Sequence, residues 1–242
     1  MRAASFGLFS VLKLFYHRRY KQTGDILLLD AAAKGGSLDA VRYIHRAQCA
    51  RDLCTTGAMD TAAARGFLDI VRFLHHNRTE GCTTAAMDNA ARVGALSIVR
   101  FLHEHRTEGC TTVAMDAAAS NGHLHVVRYL HTHRSEGCST RAMDDAARHG
   151  HLVVVKFLHE HRHEGCTTAA MDGAVANGHL TIVQYLHRNR TEGCTTQALV
   201  KARRSGHWSV VKYLETHYDG RYAAAQTGDE SEGEVMEDTS EC

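Results

Sequence analysis

"TEGCTTAAMDNAARVGALSIVRFLHEHR" spans residues 79–106, and "TEGCTTVAMDAAASNGHLHVVRYLHTHR" follows it directly as residues 107–134. The second stretch repeats the first with a minority of its letters changed. A fixed period of this kind is the sequence signature of a repeat architecture, and it is more informative about the fold than any single motif. The period is 28 residues, and it extends well beyond these two copies, because six cysteines keep the same step: Cys54, Cys82, Cys110, Cys138, Cys166 and Cys194.

Seven copies of the pattern lie between residues 29 and 218. Methionine keeps the 28-residue step from Met59 to Met171, and Leu199 takes the next place. Upstream, "LDAAAKGGSLDAVRYIH" (29–45) is an earlier copy, followed by a linker with two additional residues. Agreement over so many positions predicts one structural unit used seven times.

Each copy is predicted to form two short helices. In residues 83–106, Thr83 and Thr84 offer capping hydroxyl groups, and Asp88 is expected in the first turn, where negative charge suits the helix dipole. Gly94 is expected to end this helix and Gly109 the next one. The second helix carries a wide apolar face, namely Leu96, Ile98, Val99, Phe101 and Leu102. Helices this short are not stable alone in water, so each copy must pack against its neighbours.

The shared pattern, A-M-D-x-A-A-x-x-G-x-L-x-x-V-x-x-L, resembles the ankyrin repeat pattern P-L-H-x-A-A-x-x-G-H-x-x-V-V-x-x-L-L, and "AMDDAARHGHLVVVKFL" (142–158) is a good instance. The resemblance covers roughly residues 29–218 and implies an all-α solenoid of helix-turn-helix repeats. The sequence departs from the family in having alanine for the proline, aspartate for the histidine, and 28 residues where about 33 are usual. "HRTEGCTT" replaces the family's longer β-turn finger, and we expect a tight helical turn there.

Three segments are predicted along the chain. Residues 1–24 are predicted to form a degenerate capping helix, because "FSVLKLFYHRR" (9–19) resembles the second helix of a repeat. A targeting peptide is the alternative for this end, since basic residues flank an apolar stretch, although Lys13 interrupts it. Residues 25–218 form the seven repeats. Residues 219–242 are acidic and poor in large apolar residues, so a disordered tail is expected.

Composition argues against several classes of function. The formal net charge of +1 gives no global attraction to nucleic acid or to an anionic membrane. The longest apolar run, "FGLFSVLKLFY", is too short to span a bilayer, and no clear signal peptide is present. No phosphate loop, nucleophile elbow or paired His–Glu motif occurs, and the aspartates recur identically, which is typical of a structural role. We therefore expect no catalysis and no cofactor.

The cysteines are better explained as packing residues than as a metal or disulfide site. Cysteines at the same position of adjacent repeats lie about 10 Å apart in stacked helices, too far for a disulfide or for shared zinc coordination. No C-x-x-C motif is present, and only Cys49 and Cys54 could bridge. Small, half-buried thiols are typical of a reducing compartment, so a cytoplasmic or nuclear location is expected.

The 19 histidines also recur at fixed positions. One row comprises His45, His75, His103, His131, His159 and His187, and a second comprises His105, His133 and His161. Residues two apart point to different sides of a helix, so His103 and His105 are not expected to chelate one ion. Both rows are interpreted as helix-end residues that favour the dipole when charged. A pH- or metal-responsive switch is the alternative function that this composition leaves open.

Positions at which the copies differ are the candidates for recognition. They are the two x positions of A-A-x-x-G and one further position earlier in the first helix. In the seventh copy, Arg203 and Arg204 are assigned to the x-x pair. The predicted partner-binding residues are Asn89, Arg92, Val93, Ser120, Asn121, Asp145, Arg148, His149, Asn177, Lys201, Arg203 and Arg204. The family resemblance implies that such positions line a concave face that binds partners.

The sequence thus predicts a non-catalytic, monomeric scaffold that binds another protein or peptide and contains no metal site. The acidic tail is further predicted to fold back onto Lys201, Arg203 and Arg204, where it would mask that end of the binding face. The identity of the partner is not encoded in any motif.

Overall fold

A computed structural model describes residues 28–47, 54–217 and 222–223, and within them the chain forms seven pairs of helices. The first helices of the pairs are α1 (Leu28–Gly35), α3 (Thr56–Ala64), α5 (Thr84–Arg92), α7 (Thr112–Ser120), α9 (Arg141–Arg148), α11 (Thr168–Ala176) and α13 (Thr196–Arg204). The second helices are α2 (Leu38–Ala47), α4 (Leu68–Asn77), α6 (Leu96–His105), α8 (Leu124–His133), α10 (Leu152–His161), α12 (Leu180–Asn189) and α14 (Trp208–His217). This is the predicted all-α helix-turn-helix solenoid.

The boundaries of the first helix follow from threonine at its start and glycine at its end. Thr83 caps α5, because its hydroxyl oxygen accepts a hydrogen bond from the amide of Ala85. At the other end, the N–H of Ala95 donates to the carbonyl of Ala90 at 2.9 Å, while Gly94 has a φ of +72°. That bond closes a Schellman-type cap, which requires a left-handed residue at the glycine. The predicted stop at Gly94 is confirmed.

The second helix ends differently from the prediction. Its C-cap, Arg106, is in an extended conformation with φ −130° and ψ 153°, so α6 ends there and not at Gly109. The linker that follows is not a helical turn either. The Arg106 guanidinium forms a forked ion pair with Glu108, two residues on, with Nε 3.2 Å from Oε2. An ion-paired loop with a left-handed Gly109 (φ +75°) therefore replaces the expected helical turn.

Two helical layers run along the stack. The first helices pack on one another through small residues and methionine, and Met87, Ala90 and Ala91 are at most 1% exposed. Close contacts between successive repeats run mainly through these first helices, while the second helices lie further apart. The second helices bury Ile98 and Val99 against their partner layer. Small side chains permit this closer approach of the first helices.

The repeated aspartate joins each repeat to the next one. The Asp88 carboxylate accepts two hydrogen bonds from Thr111, one from its N–H and one from its hydroxyl, both 2.8 Å long. Asp88 is buried and lies beyond the first turn of α5, so the expected interaction with its own helix dipole is wrong. The equivalent pairs are Asp30–Thr55, Asp60–Thr83, Asp116–Ser139, Asp144–Thr167 and Asp172–Thr195.

The linker also contacts the neighbouring repeat. Arg106 lies directly over Gly81 of the preceding repeat, where a Cβ atom would collide with the guanidinium. Glycine is required there for this approach as well as for its φ of +76°. The paired glutamate reaches back too, since Glu164 accepts a hydrogen bond from the N–H of Cys138 at 3.3 Å. Each Arg–Glu pair thus closes its own turn and covers the turn before it.

The seventh repeat differs at the positions that would face a further repeat of this kind. Val200 replaces the interface aspartate, Arg203 replaces the buried alanine equivalent to Ala91, and Arg203 pairs with Glu215 at 2.7 Å. The C-cap of α13 is Ser205. Arg204 and Ser205 therefore occupy the variable pair of this repeat, and the assignment of Arg203 to that pair is wrong by one residue.

A short strand pair continues the repeat register past α14. Cys194–Thr195 (β1) pairs in parallel with Tyr222–Ala223 (β2), and both paired positions are 28 residues apart. These two residues belong to the segment predicted to be disordered, and here they are paired. Residues 1–24 and the rest of 219–242 lie outside the described residues, so the predicted cap, the remainder of the tail and the segment boundaries stay predictions.

Replacing Asp88 with alanine should destabilise the array by about 2–3 kcal/mol, because two charge-assisted hydrogen bonds are lost and the Thr111 donors are left without their acceptor. The urea midpoint measured by circular dichroism reports this change. Glu104→Gln, on the exposed side of α6, is the control and should change stability by less than about 0.5 kcal/mol. Equal effects of the two substitutions would contradict a role for Asp88 at the interface.

Candidate interaction surface

The variable residues project from one side of the first helices. In α5 these are Ala85, Asn89, Arg92 and Val93, which are spaced so that they share a helix face. We call this set and its equivalents in the other repeats the variable face. Of the predicted binding residues, the exposed ones are Arg92, Val93, Asn121, Arg148, His149, Asn177, Lys201, Arg203 and Arg204, whereas Asn89, Ser120 and Asp145 are half-buried.

Two of the half-buried residues act within their own helix. The Oδ1 atom of Asn89 accepts a hydrogen bond from Arg92 at 2.9 Å, and Asp145 pairs with Arg148 at 3.3 Å. Both therefore hold an arginine in place and are not themselves directed toward a partner. Arg148 also crosses to the next repeat, because a Cβ atom at the buried Gly173 would lie 2.8 Å from the Arg148 Cβ.

The structure adds residues that the sequence comparison missed. Val113, Arg141 and Gln197 are exposed near the start of their first helices, on the same face as the predicted residues. They vary among the copies as much as the predicted residues do, and this variation was the signal available in the sequence. Arg203 is already engaged by Glu215, which leaves two of the three residues predicted to receive the acidic tail without an ion pair in the described structure.

Histidines bridge adjacent repeats along one edge of the variable face. His123 covers Gly94 of the preceding repeat, and the Nε2 atom of His125 lies 3.1 Å from the Gly94 carbonyl. His179 reaches back to the carbonyl of Arg148 at 3.0 Å. Burial, reinforced by neighbouring histidines, lowers the pKa of His123 and of the equivalent His151. His123 and His151 therefore remain mostly neutral where they cover the preceding repeat.

The two histidine rows identified in the sequence meet between the second helices. His75 contacts Phe101 of the next repeat edge-on, with ring centroids 5.3 Å apart, and lies 5.6 Å from His105. His105 in turn stacks on Phe101 at 4.4 Å, and the Arg72 guanidinium lies 5.8 Å from the same ring. These histidines lie in the last turn of their helices, as predicted, and they also form contacts between neighbouring second helices.

Residues 87–172 match a protein-family model described as ankyrin repeats (3 copies). Residues 87–172 contain ankyrin repeats. A comparison with curated proteins finds no match. Among solved structures, the chain is similar to the ankyrin repeat domain of Bcl-3, described as a unique member of the IkappaB protein family, with 18% sequence identity, a TM-score of 0.48, and coverage of 79% of this chain and 100% of that chain. At that level the similarity carries no argument about function.

Two histidines between the second helices, His75 and His131, are poorly placed to hold a positive charge. The Nδ1 atoms of one row are buried without a hydrogen-bond partner, namely those of His45, His75, His103, His131 and His159. Desolvation lowers the pKa of His75 and His131, and the facing groups His76, His105 and Arg106 lower that of His75 further, although Glu108 opposes them. In the part of the chain that the structure describes, no group of three or more candidate ligands is arranged for a metal ion.

The array should lose stability as the pH falls from 7.5 to 5.5. The pKa of His75 and His131 lies below the usual 6.5 in the fold, so the unfolded chain binds more protons under mildly acidic conditions. Their contribution is present above about pH 6.5 and is lost as the pH drops toward the folded pKa. The double variant His75→Leu/His131→Leu should show a smaller decrease in urea midpoint than the wild type. His163→Leu, in an exposed linker, should keep the wild-type decrease. If the urea midpoint of the double variant depends on pH as strongly as that of the wild type, His75 and His131 are not the cause.

The cysteines of the ankyrin repeats are buried thiols. Burial is the main cause that raises the pKa of Cys82, Cys110 and Cys166 to about 11 and that of Cys138 to about 12, and the nearby glutamate of the next repeat adds to it. These four thiols are free and carry almost no thiolate at neutral pH. They are therefore packing residues, as the sequence predicted. No helix among the described residues has the length and apolar content to cross a membrane.

Alkylation should distinguish these buried thiols from exposed ones. At pH 8, iodoacetamide should modify Cys82, Cys110, Cys138 and Cys166 at least about a hundredfold more slowly in the native protein than in 8 M urea, because the reactive thiolate is scarce and enclosed. Mass spectrometry of the peptides follows each thiol separately. Native rates equal to those in urea would contradict the raised pKa values.

Proposed function

We propose that this protein is a non-catalytic scaffold that binds another protein or peptide through the variable face of its ankyrin repeats. The observation that supports this most directly is a contrast within each first helix. Met87, Asp88 and Ala90 are buried and nearly invariant among the copies, whereas Arg92 and Val93 are exposed and differ from copy to copy. Packing therefore leaves this face available for recognition.

The framework around the face favours recognition without rearrangement. Every first helix from α3 to α13 is tied at its start to the aspartate of the preceding repeat. The variable side chains are thus held on a stiff support, which limits the conformational entropy lost on binding. Ankyrin repeats generally act as protein–protein interaction modules. Three or four of them present enough surface for an interface of about 1,600 Å².

The polar groups inside the stack are used for structure, which is consistent with a protein that does not catalyse a reaction. The repeated aspartates accept hydrogen bonds from threonine or serine, and the linker glutamates are paired with arginine. Ankyrin repeats are typically non-catalytic. We also propose a reducing compartment, cytoplasmic or nuclear, because the four central thiols are buried and unbridged.

Affinity capture with the full-length chain tests the variable face. The variant replaces Arg92, Asn121, Arg148 and Asn177 with alanine, and the matched control replaces Arg46, Thr107, Arg188 and Thr191, which are exposed on second helices or linkers. Proteins that bind the wild type and the control but not the variant would identify the partner. The wild type, the variant and the control should have free energies of unfolding within about 0.5 kcal/mol of one another, because only exposed side chains change. Equal recovery by the variant would show that recognition does not use this face.

A further inference from the structure

Along one row of positions on the variable face, cations alternate with small side chains from one repeat to the next. The position in question is the last residue of each first helix from α3 to α13, two residues before the left-handed glycine, and Lys34 stands in the same place before Gly36. From the first repeat to the seventh, this position holds Lys34, Ala64, Arg92, Ser120, Arg148, Ala176 and Arg204. Odd repeats therefore carry a cation and even repeats carry a small side chain.

The cations of this row are available to a ligand. All four are exposed, including Arg148 at 48% of its side-chain surface. Asp145 is the acidic residue that the described variable face contains, and it is paired with Arg148. The interface aspartates, such as Asp144, are committed to the threonine or serine of the next repeat. Among the described residues, Arg148 has an ion pair with Asp145, whereas Lys34, Arg92 and Arg204 have none.

The small residues between the cations leave room for a chain to lie along the stack. In the even repeats the side chains at this position are much shorter than the cationic side chains in the neighbouring repeats; they are Ala64, Ser120 and Ala176. Gly173 is buried beneath Arg148, which places the stem of that arginine over the first helix of the sixth repeat. This row thus alternates between a cation and a small side chain, although the exposed Arg65 adds a cation beside Ala64 in the second repeat.

The distance between the cations determines how far apart the acidic side chains of a bound polypeptide would have to be. Packed helices lie 8–10 Å apart, so cations on alternate repeats are separated by roughly 16–20 Å. An extended polypeptide advances about 3.3 Å per residue. Acidic side chains about five or six residues apart would therefore come into register with successive cations.

We infer that the variable face binds an extended acidic polypeptide, whose carboxylates pair with Arg92, Arg148 and Arg204. This inference rests on the proposed function and specifies its ligand. Duplex nucleic acid fits the row less well, because the phosphates of each strand follow one another about every 3.4 Å along the helix axis and would mostly fall between the cations. The described part of the variable face has no Phe, Tyr or Trp on which bases could stack, although it does include the ring of His149.

Two labelled peptides of identical composition test the spacing. Both are 20-residue Gly/Ser chains with three Glu-Glu pairs; the pairs begin six residues apart in the first peptide and three residues apart in the second. Fluorescence anisotropy with the full-length protein at 50, 100 and 200 mM salt should show at least about tenfold tighter binding of the first peptide, because it alone can meet three cations at once. The affinity should fall as salt rises.

Matched variants test the residues. Arg92→Gln/Arg148→Gln/Arg204→Gln should weaken binding of the first peptide at least about tenfold. Arg46→Gln/Arg188→Gln/Lys212→Gln removes the same charge from exposed positions of the second helices and should change binding less than about twofold. Circular dichroism of all variants should match that of the wild type.

Three results would overturn the inference: equal binding of the two peptides, equal losses in the two variants, or tighter binding of a 20-residue thymidine oligonucleotide than of the first peptide. Its failure can be told apart from failure of the proposed function. If the peptides do not bind while affinity capture still depends on the variable face, the scaffold role stands and only the acidic ligand is rejected.

Discussion

The structure depends most on the pair of hydrogen bonds that the interface aspartate accepts from the next repeat. The hydroxyl of Thr111 donates to Asp88 and at the same time accepts from the amide of Val113, so one side chain both caps α7 and attaches it to α5. The start of each first helix is therefore defined by the repeat before it. This explains in atomic terms why a single helix pair of this sequence has little reason to be ordered alone.

The two layers of the stack are stabilised by different physics. In the first helices, alanines such as Ala90 allow close approach, and burial of apolar area and dispersion contacts dominate. The second helices lie further apart, and aromatic rings fill the greater distance. Phe101, Tyr129 and Phe157 each contact a histidine edge-on, a histidine face-on and a cation. Neutral imidazoles suit this layer, because their buried nitrogen atoms have no acceptor for an additional proton.

Features that are local in the chain could be predicted from the sequence, and features that join neighbouring repeats could not. The 28-residue period follows from comparing the copies, and the caps at Thr83 and Gly94 and the helix order follow from residues within one copy. The role of Asp88 and the contact between His75 and His105 involve residues 23 and 30 positions apart, and local reasoning assigned each to its own helix. The register error at Arg203 departs from the repeat period itself, because Gly206 lies 28 residues after Gly178 and leaves Arg204 and Ser205 as the variable pair, in agreement with the C-cap at Ser205.

The interfaces repeat every 28 residues, whereas the surface charge repeats every 56, and this difference constrains how such an array can change length during evolution. Removing residues 107–134 would bring equivalent interface residues together and leave the buried contacts intact. It would also place Arg92 and Arg148 on adjacent repeats, where like charges repel and no small residue separates them. Loss of residues 107–162 would preserve both patterns. Recombination within the gene can therefore keep the fold by exchanging single modules, but it keeps the surface only by exchanging them in pairs.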